Sequence, residues 1–389
     1  MKNDKVMVLD AELRTMLSVI RSLARSGLKV ISCSFGKSGG YLSRYSFKKF
    51  DLSDYSGNKW LAISEIAKIE KIGCIFTHLE STKMKTYEIL REEIDSGKIV
   101  LIPPSISTIE IVSNKYNILR IAQEIGINVP KTVLVENPEN LNLDFFEIEL
   151  PIFGKVFCEI GLPPGPENRY IFVNNEKDLS RLEILVKKGG KVLVQEYVKG
   201  YGYGVGGLFL KGKPIAVGGH LRLREAFSLG GPSTKCVSVI NKKALNYALE
   251  LMRRIKYTGL GMVEFKIDEK GEPYLMEINP RIWGTFPLYI AAGLDLPLLA
   301  YKLFVNNEEI SLNEIKFKEG VKMIFLLEDI KAIREQCGGF SKYIEILKDL
   351  FEIVFGISKE GTLEYLDYKP FLIPVISYLF RNFKKRGYV

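Results

Sequence analysis

"GMVEFKIDEKGEPYLMEINPR", residues 261–281, decides how this chain is read. It has the form of two short strands around a turn, and each strand carries a glutamate among apolar neighbours. Alternation places Val263, Phe265 and Ile267 on one face of the first strand and Glu264, Lys266 and Asp268 on the other. In the second strand Met276, Ile278 and Pro280 share one face, and Glu277, Asn279 and Arg281 share the opposite one. With Asp268 to Pro273 as the connection and Asp268 opposite Pro273, Glu264 falls directly opposite Glu277. Their Cβ atoms are then roughly 5 Å apart. Like charges facing each other across a ladder destabilise it unless something neutralises them, and Asn279 adds a third oxygen to the same face. Glu264, Glu277 and Asn279 suit a hard divalent cation such as Mg²⁺, which takes one or two carboxylates and completes its shell with phosphate oxygens and water. A solvated hairpin face, on which Glu264 pairs with Lys266 or Arg281, accounts for the same residues.

The whole chain narrows the choice. Its 389 residues, 47% hydrophobic and 26% charged, describe a folded protein of two or three domains. No run approaches the roughly 20 apolar residues of a membrane helix, and the opening "MKNDKVMVLDA" lacks a signal-peptide core, so a cytoplasmic protein is expected. Five cysteines (Cys33, Cys74, Cys158, Cys236, Cys337) are scattered without a C-x-x-C pair, which argues against a disulfide framework. Two histidines, His78 and His220, argue against a zinc site or a serine-type triad and direct attention to carboxylates. The net charge of +9 would serve nucleic acid, a membrane surface or an acidic small substrate, and no basic-aromatic recognition motif supports nucleic acid.

Organisation follows from periodicity. "KVMVLDAELRTMLSVIRSLARSGLKVISCSF" reads as a βαβ unit, with Leu13, Leu17, Ile20 and Ala24 on one helical stripe and Gly27 as the stop. "GCIFTHL" and "KIVLIPP" supply further strands, giving a doubly wound parallel α/β domain over 1–105. "DAELRTM" stands where a G-x-G-x-x-G would be, which disfavours nicotinamide or flavin there. One helix is expected over 107–126. Beyond it an α+β region with mostly antiparallel sheets divides into 106–190 and 191–305, and a mixed C-terminal segment occupies 306–389. That segment closes with "PFLIPVISYLFRNFKKRGYV", read as a helix packed on the body or lying at an interface.

Three features point to a nucleotide. Lys155 lies in the apolar strand "PIFGKVF", where its charge needs a partner such as a phosphate. The Gly/Pro loop "GLPPGPEN" (161–168) follows, readable as a phosphate cover or as a surface turn. Gln195, Glu196, Tyr197 and Val198 then end a strand ahead of repeated glycines, a layout that lets backbone groups meet a flat base.

In this order the parts resemble the ATP-grasp superfamily of carboxylate-amine ligases, the group of D-alanine–D-alanine ligase, biotin carboxylase and the carbamoyl phosphate synthetase large subunit. The resemblance covers about residues 5–300 and is most specific in "VEFKID…GEPYLMEINPRIWGT…AAGLDLP". It implies an α/β N-terminal domain followed by ATP-grasp domains, and an enzyme that joins a carboxylate to an amine through an acyl-phosphate. It also implies ATP with two Mg²⁺ ions, or Mn²⁺ in their place, held by Glu264, Glu277 and Asn279. Arg281 would face phosphate or acyl-phosphate, Lys115 and Lys155 the ATP phosphates, and Gln195, Glu196, Tyr197 and Val198 the adenine. "HLRLREAFSLGGPST" is similar to the strand and loop that carry substrate-side arginines, making Arg222 and Arg224 candidates, although either would equally pair with Glu225. After the hinge, "KGYGYGVGG" offers no acidic residue for the ribose, a departure from the family pattern. Small-molecule acid and amine substrates are implied, the acid carrying more than one negative charge if Arg222, Arg224, Lys235 and Arg281 converge, and a homodimer is allowed. An ATP-grasp phosphotransferase and a non-catalytic ATP-binding regulator are the alternatives.

Overall fold

The computed structural model describes residues 4–55, 57–157, 170–311 and 315–385. The chain divides into two compact units, neither continuous in sequence. One comprises Met1–Pro103, Ile215–Val239 and Arg281–Val389, and the other Pro104–Pro214 and Ile240–Pro280. The successive segments 1–105, 106–190, 191–305 and 306–389 are therefore not the packing units, because the first and last of them share one unit.

The first segment runs β1 (Lys5–Val8), α1 (Arg14–Arg25), β2 (Lys29–Ser34), β3 (Lys48–Asp51), α2 (Lys59–Glu70), β4 (Cys74–Phe76), α3 (Glu80–Ile89), α4 (Arg91–Asp95) and β5 (Val100–Leu101). Next come α5 (Ile106–Ser113), α6 (Lys115–Glu124), β6 (Thr132–Val135), α7 (Leu143–Phe146), β7 (Ile152–Val156), β8 (Tyr170–Val173), α8 (Leu182–Gly189), β9 (Val192–Glu196) and β10 (Gly200–Leu210). The middle holds β11 (Lys213–Phe227), β12 (Gly230–Ser238), α9 (Lys242–Arg254), β13 (Gly259–Asp268) and β14 (Pro273–Asn279). The chain ends with α10 (Phe286–Ala291), α11 (Leu296–Phe304), β15 (Lys322–Ile324), α12 (Leu326–Gln336), α13 (Ser341–Val354), β16 (Ser358–Glu360) and α14 (Lys369–Lys385).

In the first unit β3-β2-β1-β4-β5 form a parallel sheet in that order. Val6, Met7 and Val8 of β1 are all fully buried, as expected of a strand covered on both faces. The strand order reverses between β1 and β4, so the carboxyl ends of these two strands flank the switch point where open α/β sheets bind ligands. Asp10 replaces a glycine-rich turn there. Its buried carboxylate accepts from the backbone N–H groups of His78 (2.8 Å) and Leu79 (2.9 Å) and from Thr82 Oγ1 (2.6 Å), tying the turn after β1 to the one after β4. Antiparallel pairing joins β11 to β12 and β12 to β15, and β15 runs parallel to β16. The helix α14 packs against the turn Gly39–Leu42, and no described helix is long and apolar enough to cross a membrane.

In the second unit β6-β9-β7-β8 form an antiparallel sheet. One face, with Ile152, Val156, Ile171, Val192 and Val194, packs on Leu182 and Leu185 of α8. Gly154 permits that approach, since a Cβ there would stand 2.2 Å from Leu182 Cδ2. The strands β10, β13 and β14 pair antiparallel, with β13 in the middle. Residues 107–126 are two helices rather than one. Asn114 breaks the run and caps α6, its Oδ1 accepting from the Asn117 N–H at 3.0 Å. Lys115 thereby becomes the first residue of α6.

Candidate active site

The hairpin brings its two glutamates face to face. Glu264 pairs directly with Glu277, Val263 with Ile278 and Met262 with Asn279. The turn is not the one expected. Ile267, not Asp268, lies opposite Pro273, and the Asp268 N–H donates to Glu272 O at 2.9 Å. A bulge restores the register, because Phe265 pairs with Leu275 and Glu264 with Glu277, which leaves Met276 as the extra residue. Leu275 and Pro273 thus stay in the core with Phe265 and Ile267, while Glu277 emerges beside Glu264.

Positive groups converge on these carboxylates. Asn279 Nδ2 lies 3.4 Å from Glu264 Oε2 and 3.5 Å from Glu277 Oε1. Lys115 Nζ lies 2.8 Å from Glu277 Oε2, carried there by α6, which packs against β14. The donor set fits Mg²⁺: two carboxylates and an amide that offers oxygen once it is turned over, too few to enclose the ion but enough for one that retains waters and phosphate oxygens. The ammonium of Lys115 already sits where the carboxylates demand a cation.

On the sheet face opposite α8, Lys155 Nζ donates to Gln195 Oε1 (2.6 Å), and the Gln195 amide donates to Thr132 Oγ1 (2.9 Å). Phe153, Phe172 and Tyr197 form a ring cluster beside them, with centroids 5.0–5.8 Å apart. Glu196 is held to the adjoining segment, its Oε1 accepting from the Lys131 N–H at 2.9 Å, and the Tyr197 N–H donates to Pro151 O at 3.3 Å. Val198 follows in the short connection that leads into β10. The loop 161–168 lies outside the described residues.

In the first unit Arg281 Nε donates to Glu80 Oε1 at 2.9 Å. His78 lies nearby, with Nδ1 3.2 Å from Thr15 Oγ1, and burial together with the charges of Arg281 and Arg14 lowers its pKa to about 3, so the ring is neutral at physiological pH. The Arg14 guanidinium stacks 3.6 Å from the Phe325 ring centroid. Its Nη2 donates to Ser233 O (3.2 Å), and its buried Nη1, 3.5 Å from Glu328 Oε1, has no hydrogen-bond acceptor among the described residues. Sequence reasoning passed over Arg14, His78 and Glu80. The signal that finds them is their place just beyond β1 and β4, at the strand-order reversal.

The other arginine candidates are engaged differently. Arg222 Nη1 donates to Glu225 Oε1 (3.0 Å) and Gly231 O (3.2 Å). Arg224 is bound by protein carboxylates: Asp349 Oδ2 at 2.6 Å, Glu345 Oε2 at 3.1 Å, and Asp329. Lys235 donates to Asp349 Oδ1 (2.7 Å) and Glu352 Oε1 (2.9 Å). The buried Asp349 carboxylate needs counter-charge, and that need occupies both cations. Arg281 has a carboxylate partner of its own, Glu80.

A parallel doubly wound sheet, an antiparallel four-stranded sheet and a carboxylate-bearing hairpin, in this chain order, match solved structures across more than four-fifths of the chain. The chain has the ATP-grasp fold. A biotin carboxylase from Campylobacter jejuni, solved with β,γ-ATP, superposes with a TM-score of 0.65 at 17% identity, covering 82% of this chain and 74% of that one. N5-carboxyaminoimidazole synthetase from Staphylococcus aureus gives 0.64 at 16% identity over 90% and 85%. L-amino acid ligase from Bacillus licheniformis gives 0.60 at 14% identity over 83% and 79%. A family model described as ATP-grasp in the biosynthetic pathway with Ter operon matches residues 189–324, the stretch that holds the ATP-grasp hairpin. The uncharacterized protein MJ0776 of Methanocaldococcus jannaschii is 26% identical over 288 residues, which span 72% of this chain and 66% of that protein.

Proposed function

We propose that this protein is an ATP-dependent ligase that joins a small-molecule carboxylate to an amine through an acyl-phosphate, releasing ADP and phosphate. The observation that carries the reading is the hairpin, on which Glu264 faces Glu277 with Asn279 between them and Lys115 closing on Glu277. The structural neighbours named carboxylase, synthetase and ligase support the same class of reaction.

Glu264, Glu277 and Asn279 would hold Mg²⁺, which when bound neutralises charge on the phosphoryl oxygens. Lys155 and Lys115 bind ATP phosphates, Lys115 exchanging Glu277 for a phosphate oxygen. The segment Gln195 to Val198, beside the ring cluster, takes the adenine. In the first unit Arg281, the buried Arg14 Nη1 and neutral His78 suit the acid substrate, since arginine forks match carboxylates. An oxygen of that acid attacks the γ-phosphorus, the bond to the β-phosphate oxygen breaks, and ADP leaves. The amine nitrogen then attacks the acyl carbon, the bond to phosphate breaks, and the amine proton is lost. No side-chain nucleophile takes part, so positioning and electrostatics supply the catalysis.

The test is a screen of carboxylate and amine pairs for ATP-dependent phosphate release, with joined products identified by mass spectrometry and Glu277→Gln as the control. Turnover that disappears in a folded Glu277→Gln protein is expected. Undiminished turnover in that variant overturns the site, and phosphate found on the acceptor instead of in solution replaces the ligase with a phosphotransferase.

A further inference from the structure

The helix α13 faces the wrong way for a helix on a protein surface. Its sequence, SKYIEILKDLFEIV, is amphipathic, yet the one buried side chain along its length is Asp349, 1% exposed. The polar edge faces the body. Glu345, Asp349 and Glu352, spaced by four and three residues, reach Arg224 and Lys235, and Glu352 also accepts from Ser358 Oγ at 2.6 Å. The apolar edge faces outward: Phe340 is 75% exposed, Leu347 64%, Phe351 54% and Val354 77%.

Surface helices ordinarily turn such an edge inward, because apolar burial is favourable and desolvating charges is costly. Here two cations and four carboxylates fix the opposite orientation. A lone copy would leave this apolar stripe in water.

The spacing of that stripe specifies its occupant. Phe340, Ile344, Leu347, Phe351 and Val354 recur at intervals of four, three, four and three, the repeat with which one helix seats the side chains of another. Together with flanking Tyr343, Leu350 and Phe355 the exposed apolar area is on the order of 900 Å², about what each partner contributes to a standard interface. Phe351 and Phe355 stack with centroids 4.2 Å apart, so part of the ridge is already ordered.

We infer that α13 is the self-association surface of this protein, pairing with α13 of a second copy about a two-fold axis. The pairing is antiparallel and isologous, which places Leu347, the midpoint of the seam, against its own symmetry mate and Phe340 against Val354 of the other copy. The inference does not depend on the reaction proposed above.

Sedimentation of the full chain at micromolar concentration tests it. The wild type is expected to be a dimer, and the Leu347→Lys, Phe351→Lys double variant a monomer with an unchanged circular-dichroism spectrum, its association weakened at least about a hundredfold by unpaired charge in the seam. Under oxidation Leu347→Cys should cross-link two copies, Phe340→Cys alone should not, and Phe340→Cys combined with Val354→Cys should. A wild type that stays monomeric, or a dimer indifferent to the lysine pair, overturns the inference. So does a monomer that binds anionic vesicles through this face, since the stripe is then a membrane-docking edge.

Discussion

Replacing Lys115 by methionine should turn a self-neutralised hairpin into a better cation site. Glu264 and Glu277 oppose each other across the ladder, and two such charges about 5 Å apart repel by about 3 kcal/mol at the effective dielectric of a partly buried site. Lys115 offsets this from 2.8 Å, with its side chain 13% exposed and that of Glu277 28% exposed. Lys115→Met keeps the apolar stem and removes the charge, so the metal-free protein should lose about 1–3 kcal/mol of stability. A divalent cation no longer competes with the ammonium for Glu277, and its nucleotide-free affinity should rise about tenfold, worth about 1.4 kcal/mol. Thermal unfolding across a magnesium titration without nucleotide reads both effects. The variant should melt below the wild type without magnesium and gain more than the wild type as magnesium is added. Equal or weaker magnesium stabilisation in Lys115→Met refutes the competition, and an unchanged melting temperature in metal-free buffer refutes the neutralising role.

Lys155→Ala should weaken ATP binding by about 1–3 kcal/mol, as expected for one charge-assisted contact, and calorimetry showing no change would make Lys155 a structural partner of Gln195. Arg224→Ala should cost about 3–5 kcal/mol of stability by leaving the buried Asp349 carboxylate under-compensated, with the KM for the acid unaffected; a raised KM at unchanged stability would return Arg224 to the substrate. Burial, together with the adjacent Asp349 carboxylate, raises the pKa of Asp329 toward neutrality, so the folded pair holds a proton that the unfolded chain releases near pH 4. Stability from this group is full below about pH 4 and falls as pH rises toward 7, by at most about 1.4 kcal/mol per pH unit. Denaturant titrations of Asp329→Asn should lack that component of the slope, and an unaltered slope would assign the proton elsewhere.

How much of this was legible in the sequence varies with the range of the interactions. The opposition of Glu264 and Glu277 is local, and the expected turn with Asp268 opposite Pro273 reached it because the bulge at Met276 offsets that turn's one-residue error. The bulge at Met276 was hidden because Leu275 and Met276 are both apolar, so neither announces which of them leaves the core. Asn114 was overlooked since the apolar pattern runs on through it, and only the cap it makes shows that α6 begins afresh at Lys115. The partners of Arg224 were hidden for a different reason. Its neighbour Glu225 is visible in the sequence, whereas Asp329 and Asp349, its partners in space, lie 105 and 125 residues away. The grouping of Met1–Pro103 with Arg281–Val389 in one unit is likewise a long-range fact that no local pattern carries.

The bulge gives the hairpin something like a reading frame. Upstream of Met276 the strand is in one phase with β13 and downstream in the other, and a single residue added or lost elsewhere in β14 would exchange inside for outside over everything between that point and the bulge. Loss of Met276 itself would not, because Leu275 would still face Phe265 and Glu277 would still face Glu264 in an uninterrupted ladder. The carboxylates are thus insulated from changes in the turn, and Met276 is the position in the second strand where a residue can be lost without exchanging inside for outside.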